Sequence, residues 1–207
     1  NSVLLKDVVQ RNNIRDVELL ERMILYLLDN VGHSFSARSI SNYLKQENRK
    51  VSAETILNYI KACCDAYLFI QLRREDLQGK KILSVNEKYY SVDHGLRESI
   101  LGTNARNIDQ ILENIVCMEL LRRGYTVTIG KNGEKEIDFV AKKNKDKLYI
   151  QVAYLLAGSG TIEREFGIYD SIRDHYPKYV LSLDEFDMSR DGIKHLNIRD
   201  FLLSKEF

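Results

Sequence analysis

The sequence predicts an α+β or α/β protein of two domains, a helical domain with a β-ribbon over residues 1–101 and an αβββαβ domain over residues 102–207. Helical apolar spacing extends to about residue 67, and short strand-like runs follow it. After Gly102 the order becomes helix, three strands, helix and strand. With 207 residues, 44% of them apolar, the chain is long enough for two cores and too apolar to be disordered.

The charge and cysteine content exclude several classes. The 31 Lys+Arg against 30 Asp+Glu leave a net charge of +1, so any binding of a polyanion must rest on a local patch. The three cysteines form no C-x-x-C pair, and no signal peptide or membrane-spanning run is present. We therefore expect a cytoplasmic protein without a membrane partner. The four histidines lie far apart, so no zinc site is predicted.

The first domain begins with a short N-terminal helical segment and continues with three amphipathic helices. Apolar residues recur three or four positions apart between Asp16 and Gly32, which predicts the first core helix. Ser36 has the position of an N-cap for a second helix over Ala37–Gln46, and Ser52 has the same position before a third. Each of these serines is preceded by an apolar residue that can pack back on the helix, which favours three helices of which two have capped starts.

A β-ribbon is predicted after these helices. Leu68–Leu72 and Lys80–Val85 are strand-like and flank a polar turn that contains Gly79. Tyr89–Val92 is predicted to add a third strand. Three helices followed by such a ribbon indicate a winged helix-turn-helix domain, whose third helix enters the DNA major groove in DNA-binding members.

Positive and polar side chains on the third helix, before it and on the ribbon are the candidates for DNA contact, because phosphates attract positive charge whatever the base sequence. The predicted nucleic-acid-binding residues are Arg49, Lys50, Asn58, Lys61, Arg73, Arg74, Lys80 and Lys81. Glu54 and Asp65 lie on the same predicted face of the third helix, and these acids favour the alternative, a module that docks on protein.

The second domain has the element order of the PD-(D/E)XK, restriction-endonuclease-like fold. Helical spacing, strand alternation and turn residues define its six elements. These are a helix from Ile108 to Gly124, strands at Tyr125–Ile129, Glu136–Ala141 and Leu148–Tyr154, a helix over Glu163–Tyr176 and a strand over Lys178–Leu183.

Three oxygen-bearing side chains fall where such a fold would hold a metal ion. Asp138 lies in the second strand, Gln151 in the third, and Glu113 on the preceding helix, where Glu119 is an alternative. Together they could bind Mg²⁺, which would activate water for phosphodiester cleavage. Asp138, Gln151 and Glu113 are therefore the predicted catalytic and weak Mg²⁺-binding residues.

The third strand departs from what cleavage requires. A lysine commonly stands two residues after the third-strand acid to stabilise the transition state. Here the tripeptide is Gln151-Val152-Ala153, which supplies a neutral ligand and no cation. Lys178 or Arg164 could supply a displaced cation. We expect a degenerate, inactive site, and the alternative is a Mg²⁺-dependent nuclease with a displaced lysine.

Five segments resemble the C-terminal region of predicted prokaryotic AAA+ ATPases. These are Asn86–Leu96, Leu112–Gly124, Glu136–Val140, Tyr149–Ala153 and Tyr176–Asp184. The resemblance implies an N-terminal ATPase module followed by a winged helix and a nuclease-like domain of unresolved function. It implies that motif positions transfer to Asp138 and Gln151, and less directly to Glu113.

The chain lacks the G-x-x-x-x-G-K-[ST] phosphate loop and begins without methionine, as if cut from a longer protein. We therefore expect no cofactor here except possible Mg²⁺, with ATP bound only by the missing N-terminal module. The expected function is recognition of DNA, of that ATPase module or of another protein, by a fragment that is not itself catalytic. A pure protein-interaction or oligomerisation module is the further alternative.

Overall fold

The computed structural model describes residues 2–79, 81–102 and 107–205. Within these ranges the chain is a mixed α/β protein with eight helices and seven strands. The helices are α1 Ser2–Asn12, α2 Val17–Asp29, α3 Ala37–Gln46, α4 Ala53–Asp65, α5 His94–Leu101, α6 Ile108–Arg122, α7 Ser159–Gly167 and α8 Ile198–Leu203. The strands are β1 Phe69–Asp76, β2 Lys81–Ser91, β3 Thr126–Asn132, β4 Lys135–Lys143, β5 Asp146–Val152, β6 Lys178–Ser182 and β7 Lys194–Asn197.

The described strands form one mixed sheet in the order β2-β1-β3-β4-β5-β6-β7. β3, β4 and β5 form an antiparallel meander, whereas β1 pairs parallel with β3, and β5, β6 and β7 pair parallel with one another. Helix α6 packs on the meander. Phe166 of α7 packs in a core that includes Ile137 and Val140 of β4 and Val180 of β6. This arrangement brings the middle of β4 and the end of β5 beneath α7.

The chain separates into two compact units. Unit 1 consists of Asn1–Gln71 and Asn86–Asn104, and unit 2 consists of Leu72–Val85 and Ala105–Phe207. The tip of the ribbon thus groups with the second unit. The reason is hydrogen bonding, because Arg74–Asp76 of β1 pair with Ile129–Lys131 of β3. Two ion pairs strengthen this junction, Arg74 with Glu136 and Glu75 with Lys142.

The three helices predicted from apolar spacing are confirmed as α2, α3 and α4. Their starts are capped by Asp16, Ser36 and Ser52, whose side-chain oxygens accept hydrogen bonds from the backbone N–H three residues later at 3.0, 3.3 and 3.0 Å. A cap of this kind contributes about 1 kcal/mol. The predicted bounds of α3 match the observed ones.

Unit 1 differs from the prediction after the ribbon turn. The predicted separate strand at Tyr89–Val92 is wrong, because β2 continues without a break to Ser91. Helix α5 was not predicted. Its buried Arg97 obscures the amphipathic pattern. Burial of this guanidinium is possible because Nε donates to the Leu28 carbonyl at 3.0 Å and Nη1 donates to Glu98.

Unit 2 differs at its second helix and at its end. The helix predicted over Glu163–Tyr176 is α7, which begins four residues earlier and ends at Gly167. The chain leaves the helix because Ile168 and Tyr169 enter the core, where the Tyr169 hydroxyl donates to the Tyr179 carbonyl at 2.7 Å. Strand β7 and helix α8 were not predicted. Their few residues carry too little periodicity to identify.

No helix in the described part of the chain has the length and apolar character needed to cross a membrane. The three cysteines, Cys63, Cys64 and Cys117, are free thiols. Burial raises the pKa of Cys63 to about 12, with a smaller contribution from Cys64. This thiol therefore behaves as a packing residue.

Candidate functional site

Asp138 lies in a β-bulge. Thr128 of β3 pairs with Val140 of β4 while Gly130 pairs with Ile137, so two β4 residues oppose one β3 residue. A Cβ atom at Gly130 would lie 2.9 Å from Val140 Cγ2 and 3.0 Å from Ile137 Cβ. The bulge therefore requires glycine on the facing strand. Bulges change the direction of a side chain and are frequent beside functional sites.

Two hydrogen bonds between side chain and backbone join Asp138 to the neighbouring residues Gln151 and Val152. Asp138 Oδ2 accepts from the Val152 backbone N–H at 2.9 Å, and Gln151 Oε1 accepts from the Asp138 backbone N–H at 3.3 Å. The paired residues of β4 and β5 end one step earlier, at Phe139 and Ile150. The two side chains thus continue the hydrogen bonding where the backbone pairing stops. Both predicted ligands are present side by side, and an oxygen of each is already engaged.

The third predicted ligand comes from a different element. Glu113 is half-buried on α6, the helix that packs on β3, β4 and β5. Its alternative, Glu119, is held by Arg122 at 2.7 Å and by Arg123 at 2.6 Å. The Arg122 guanidinium, with a smaller contribution from Arg123, holds the pKa of Glu119 below its ordinary value in spite of burial. Glu119 therefore belongs to an arginine cluster. The described residues contain no group of three or more His, Cys, Asp or Glu side chains able to hold a metal ion.

The two cations that could replace the missing lysine have protein partners. Lys178 pairs with Tyr149, two residues before Gln151 along β5, and its Nζ donates to the Asp174 carbonyl at 2.8 Å. Arg164 projects into solvent and donates from Nε to Glu165 Oε1 at 2.8 Å. Both side chains are therefore already held by groups other than Asp138 and Gln151.

Sequence reasoning missed two buried polar residues of unit 2. Glu165 of α7 is 5% exposed, and Tyr169 follows it in the core. Burial raises the pKa of the Tyr169 hydroxyl well above its ordinary value, and the negative charges of Asp138 and then Glu165 raise it further. The Tyr169 hydroxyl therefore stays in its neutral form in the core. Only the inward face of α7 could have identified Glu165 as buried. The helix predicted over Glu163–Tyr176 had the wrong bounds, so it did not define that face.

The predicted DNA-reading face of α4 is solvent-exposed, and the positive charge of its lysine is partly neutralised by an acid. Asn58 and Lys61 are exposed, and Lys61 Nζ lies 2.5 Å from an Asp65 carboxylate oxygen one turn later. They line a groove of about 390 Å³ that also includes Asn12 and Asn13 at the end of α1. The groove is polar and carries little net charge.

The other predicted phosphate contacts divide into two groups. Arg49 donates to both Asp16 oxygens at 2.7 Å, and Arg74 Nη2 lies 2.5 Å from Glu136. Both guanidiniums are engaged within the protein. The side chains of Lys50, Arg73 and Lys81 are exposed, and the prediction at Lys80 lies outside the described residues.

The sequence model of a family described as a domain of unknown function, DUF8612, matches residues 1–107. The chain belongs to the DUF8612 family. The DUF8612 match covers α1 to α5 with the ribbon and ends before α6 begins. Glu113, Asp138 and Gln151 therefore lie beyond the matched segment.

Two relatives extend the DUF8612 comparison to almost the whole chain. An uncharacterized protein of Haemophilus influenzae is 38% identical over 204 residues, which are 98% of this chain and 50% of that protein. An uncharacterized protein of Methanocaldococcus jannaschii is 32% identical over 204 residues, which are 97% of this chain and 45% of that protein. The chain spans about half the length of the curated relatives it matches.

A solved structure, a protein of Vibrio cholerae, aligns with 98% of this chain and 54% of its own at 12% identity, with a TM-score of 0.29.

Proposed function

We propose that this chain is a non-catalytic recognition module of a larger AAA+-type ATPase, with a winged helix over residues 1–101 and a degenerate PD-(D/E)XK domain over residues 102–207. The proposed ligand is nucleic acid. The length of the relatives supports a larger parent protein, since the chain corresponds to about half of each. The helix α6, the meander β3–β5, α7 and β6 follow the αβββαβ order on which the nuclease-like assignment rests.

One observation carries the non-catalytic part of the proposal, the two hydrogen bonds that join Asp138 to Gln151 and Val152. A metal ion that took Asp138 Oδ2 as a ligand would compete with the buried N–H of Val152. Leaving that N–H without an acceptor costs about 1–3 kcal/mol. We therefore infer that the side chains of Asp138 and Gln151 connect β4 to β5 and do not bind Mg²⁺.

The absence of a lysine adds a second cost. Ala153 cannot stabilise negative charge that develops on a phosphate, and loss of one preorganised donor commonly slows a reaction by about 10²–10³. Lys178 has carbonyl partners in the loop before β6. Both arguments favour a domain that keeps the nuclease-like fold but does not cleave phosphodiester bonds.

Nucleic-acid binding by the winged helix would use the exposed cations. Lys50 before α4 and Lys81 on β2 are exposed, and Asn58 on α4 is available for a base edge. Contacts from so few cations supply modest affinity with a shallow salt dependence, because each neutralised phosphate contributes a slope of about 0.9.

The test is fluorescence anisotropy with labelled duplex and single-stranded oligonucleotides at two salt concentrations. We expect binding that weakens with salt, and a double variant Lys50→Ala/Lys81→Ala that loses affinity for all sequences alike. Lys194→Ala, an exposed lysine of β7, is the matched control and should bind as the wild type does. Absence of any binding at low salt would refute nucleic acid as the ligand.

A parallel cleavage assay tests the non-catalytic part. We expect no cleavage of plasmid or oligonucleotide DNA above background with Mg²⁺ or Mn²⁺. Robust cleavage that Asp138→Asn abolishes without unfolding the protein would establish the second candidate, a Mg²⁺-dependent nuclease. The position of Asp138 in a bulge favours that candidate, since bulges are frequent beside functional sites.

A third candidate is a pure protein-interaction module. Exposed apolar side chains favour it, since Tyr43 is 60% and Tyr67 is 79% exposed in unit 1. Unchanged anisotropy with DNA, together with a concentration-dependent mass in ultracentrifugation, would support self-association over nucleic-acid binding.

A further inference from the structure

A basic groove lies in unit 2 at the C-terminal end of α6. Its volume is about 600 Å³. The lining residues are Arg122, Arg123, Tyr125, Lys143, Leu202, Leu203, Ser204 and Lys205. Four of these are cations, and no acid lines the groove among the residues that the structure describes. The predicted set of nucleic-acid-binding residues, Arg49, Lys50, Asn58, Lys61, Arg73, Arg74, Lys80 and Lys81, includes none of the four.

The groove is built on an internal arginine. Arg123 is nearly buried, contacts Glu119 at 2.6 Å, and donates from Nη2 to the Phe201 and Ser204 carbonyls at 2.7 and 3.0 Å. Its guanidinium carbon lies 4.7 Å from the centre of the Phe201 ring. Arg123 thus fixes the end of α8 against the end of α6 and sets the walls of the groove.

The outward-facing cations are held in place. Arg122 binds both oxygens of Glu119 at 2.7 Å through Nε and Nη2, while 70% of its side chain stays exposed. Lys143 Nζ donates to the Arg123 carbonyl at 2.9 Å and lies 5.6 Å from the Tyr125 ring centre. Lys205 is exposed at the rim. Arg122 keeps further N–H donors that can bind a ligand.

The charge balance of the groove favours an anion. Glu119 is the carboxylate bound by both arginines, so the four cations exceed the charge that this carboxylate neutralises. Like charges gathered in a concave site repel one another and concentrate a positive potential there. Arginine presents paired N–H donors that match phosphate oxygens, and lysine adds a point charge.

We propose that this groove binds phosphate groups through Arg122, Lys143 and Lys205, with Arg123 as the positioning residue. The phosphates can come from a nucleic-acid backbone or from a small phosphorylated molecule, and both present the same oxygens to the same cations. The proposal does not depend on DNA binding by the winged helix, because the residues that line the groove do not include Lys50, Asn58 or Lys81.

The test uses inorganic pyrophosphate and a 20-base-pair duplex as probes. Pyrophosphate titrated into ¹⁵N-labelled protein should shift the backbone amides of Tyr125 and Ser204. A double variant Arg122→Ala/Lys205→Ala should weaken pyrophosphate binding about tenfold or more, since two charge-assisted contacts are removed. The double variant should remain folded, because Arg123 still holds Glu119. Arg199→Ala/Lys194→Ala removes two exposed cations elsewhere in unit 2 and should leave affinity unchanged.

The two probes separate the sources of phosphate. If the backbone is the source, duplex DNA competes with pyrophosphate, and the Arg122/Lys205 double variant lowers the salt slope of duplex binding by about 2. If a small molecule is the source, pyrophosphate binds the groove while duplex affinity is the same in wild type and variant. Unshifted groove amides at millimolar pyrophosphate, or equal affinity in the double variant, would overturn the proposal even if DNA binds at the ribbon.

Discussion

Replacement of Asp138 tests whether this side chain holds β4 and β5 together. Asp138 is 8% exposed, and its Oδ2 accepts a hydrogen bond from the buried Val152 N–H at 2.9 Å. Asp138→Ala removes the acceptor and leaves the N–H unsatisfied, which costs about 1–3 kcal/mol. Asp138→Asn retains a carbonyl oxygen of the same shape, so we expect a loss below about 1 kcal/mol. The difference between the two variants isolates the acceptor from the charge.

Thermal unfolding of the full chain, followed by circular dichroism, measures the effect. For a chain of this size about 1 kcal/mol corresponds to 2–4 °C, so a loss of about 2 kcal/mol predicts a decrease in Tm of about 4–8 °C for Asp138→Ala. Asp146→Ala, which removes an exposed acid at the start of β5, is the control and should lie within about 0.5 kcal/mol of wild type.

Two results would refute this reasoning. One is an Asp138→Ala protein as stable as wild type, since the acceptor would then contribute nothing. The other is a more stable Asp138→Ala protein. Acids kept for chemistry often destabilise the fold that holds them, so stabilisation on removal would favour a retained catalytic role over a structural one.

Three further predictions address the same unit. Gly130→Ala should cost about 1–3 kcal/mol through overpacking against β4, whereas Gly160→Ala in α7, with open space around it, should be neutral in the same denaturant titration. Burial lowers the pKa of His195 in the folded protein, so the unfolded chain takes up the proton first as the pH decreases. The stabilising contribution of neutral His195 is therefore complete above about pH 6.5 and decreases as the pH falls towards the folded pKa. His195→Gln should flatten this pH dependence in thermal melts from about pH 5 to 8. Gln151→Glu should place a second carboxylate beside Asp138 and lower the free energy of unfolding by about 1 kcal/mol or more. Millimolar Mg²⁺ should restore the Tm of this variant in a thermal melt. An unchanged Tm would count against any metal site there.

The sequence predicted those elements whose periodicity is long and whose starts carry a cap. Helices α2, α3 and α4 were found because their apolar residues recur at helical spacing, and Ser36 and Ser52 mark the starts of α3 and α4. Helix α5 was missed because its buried Arg97 reads as a surface residue until the Leu28 carbonyl is known to be its partner. The limits of α7 were misplaced because its end depends on the core contacts of Tyr169, which are distant in sequence.

The candidate site could be predicted only in part for a related reason. The alternation of β4 and β5 was enough to bring Asp138 and Gln151 together. The bulge that changes their hydrogen bonding depends on Gly130 in a third strand. The basic groove draws Arg122, Lys143 and Lys205 from three elements separated by about 20 and 60 residues, and no local pattern links them.

Ion pairs within the protein determine which lysine and arginine substitutions can test nucleic-acid binding without disturbing the fold. Arg74 and Arg49 both looked like phosphate contacts in the sequence, yet Arg74 pairs with Glu136 where β1 meets the meander and Arg49 pairs with Asp16 at the start of α2. The Arg49 guanidinium also holds the pKa of Asp16 below its ordinary value. Removing either arginine would disturb packing and binding together. A lost signal would then have two causes, whereas the exposed Lys50 and Lys81 change the charge and leave the ion pairs intact.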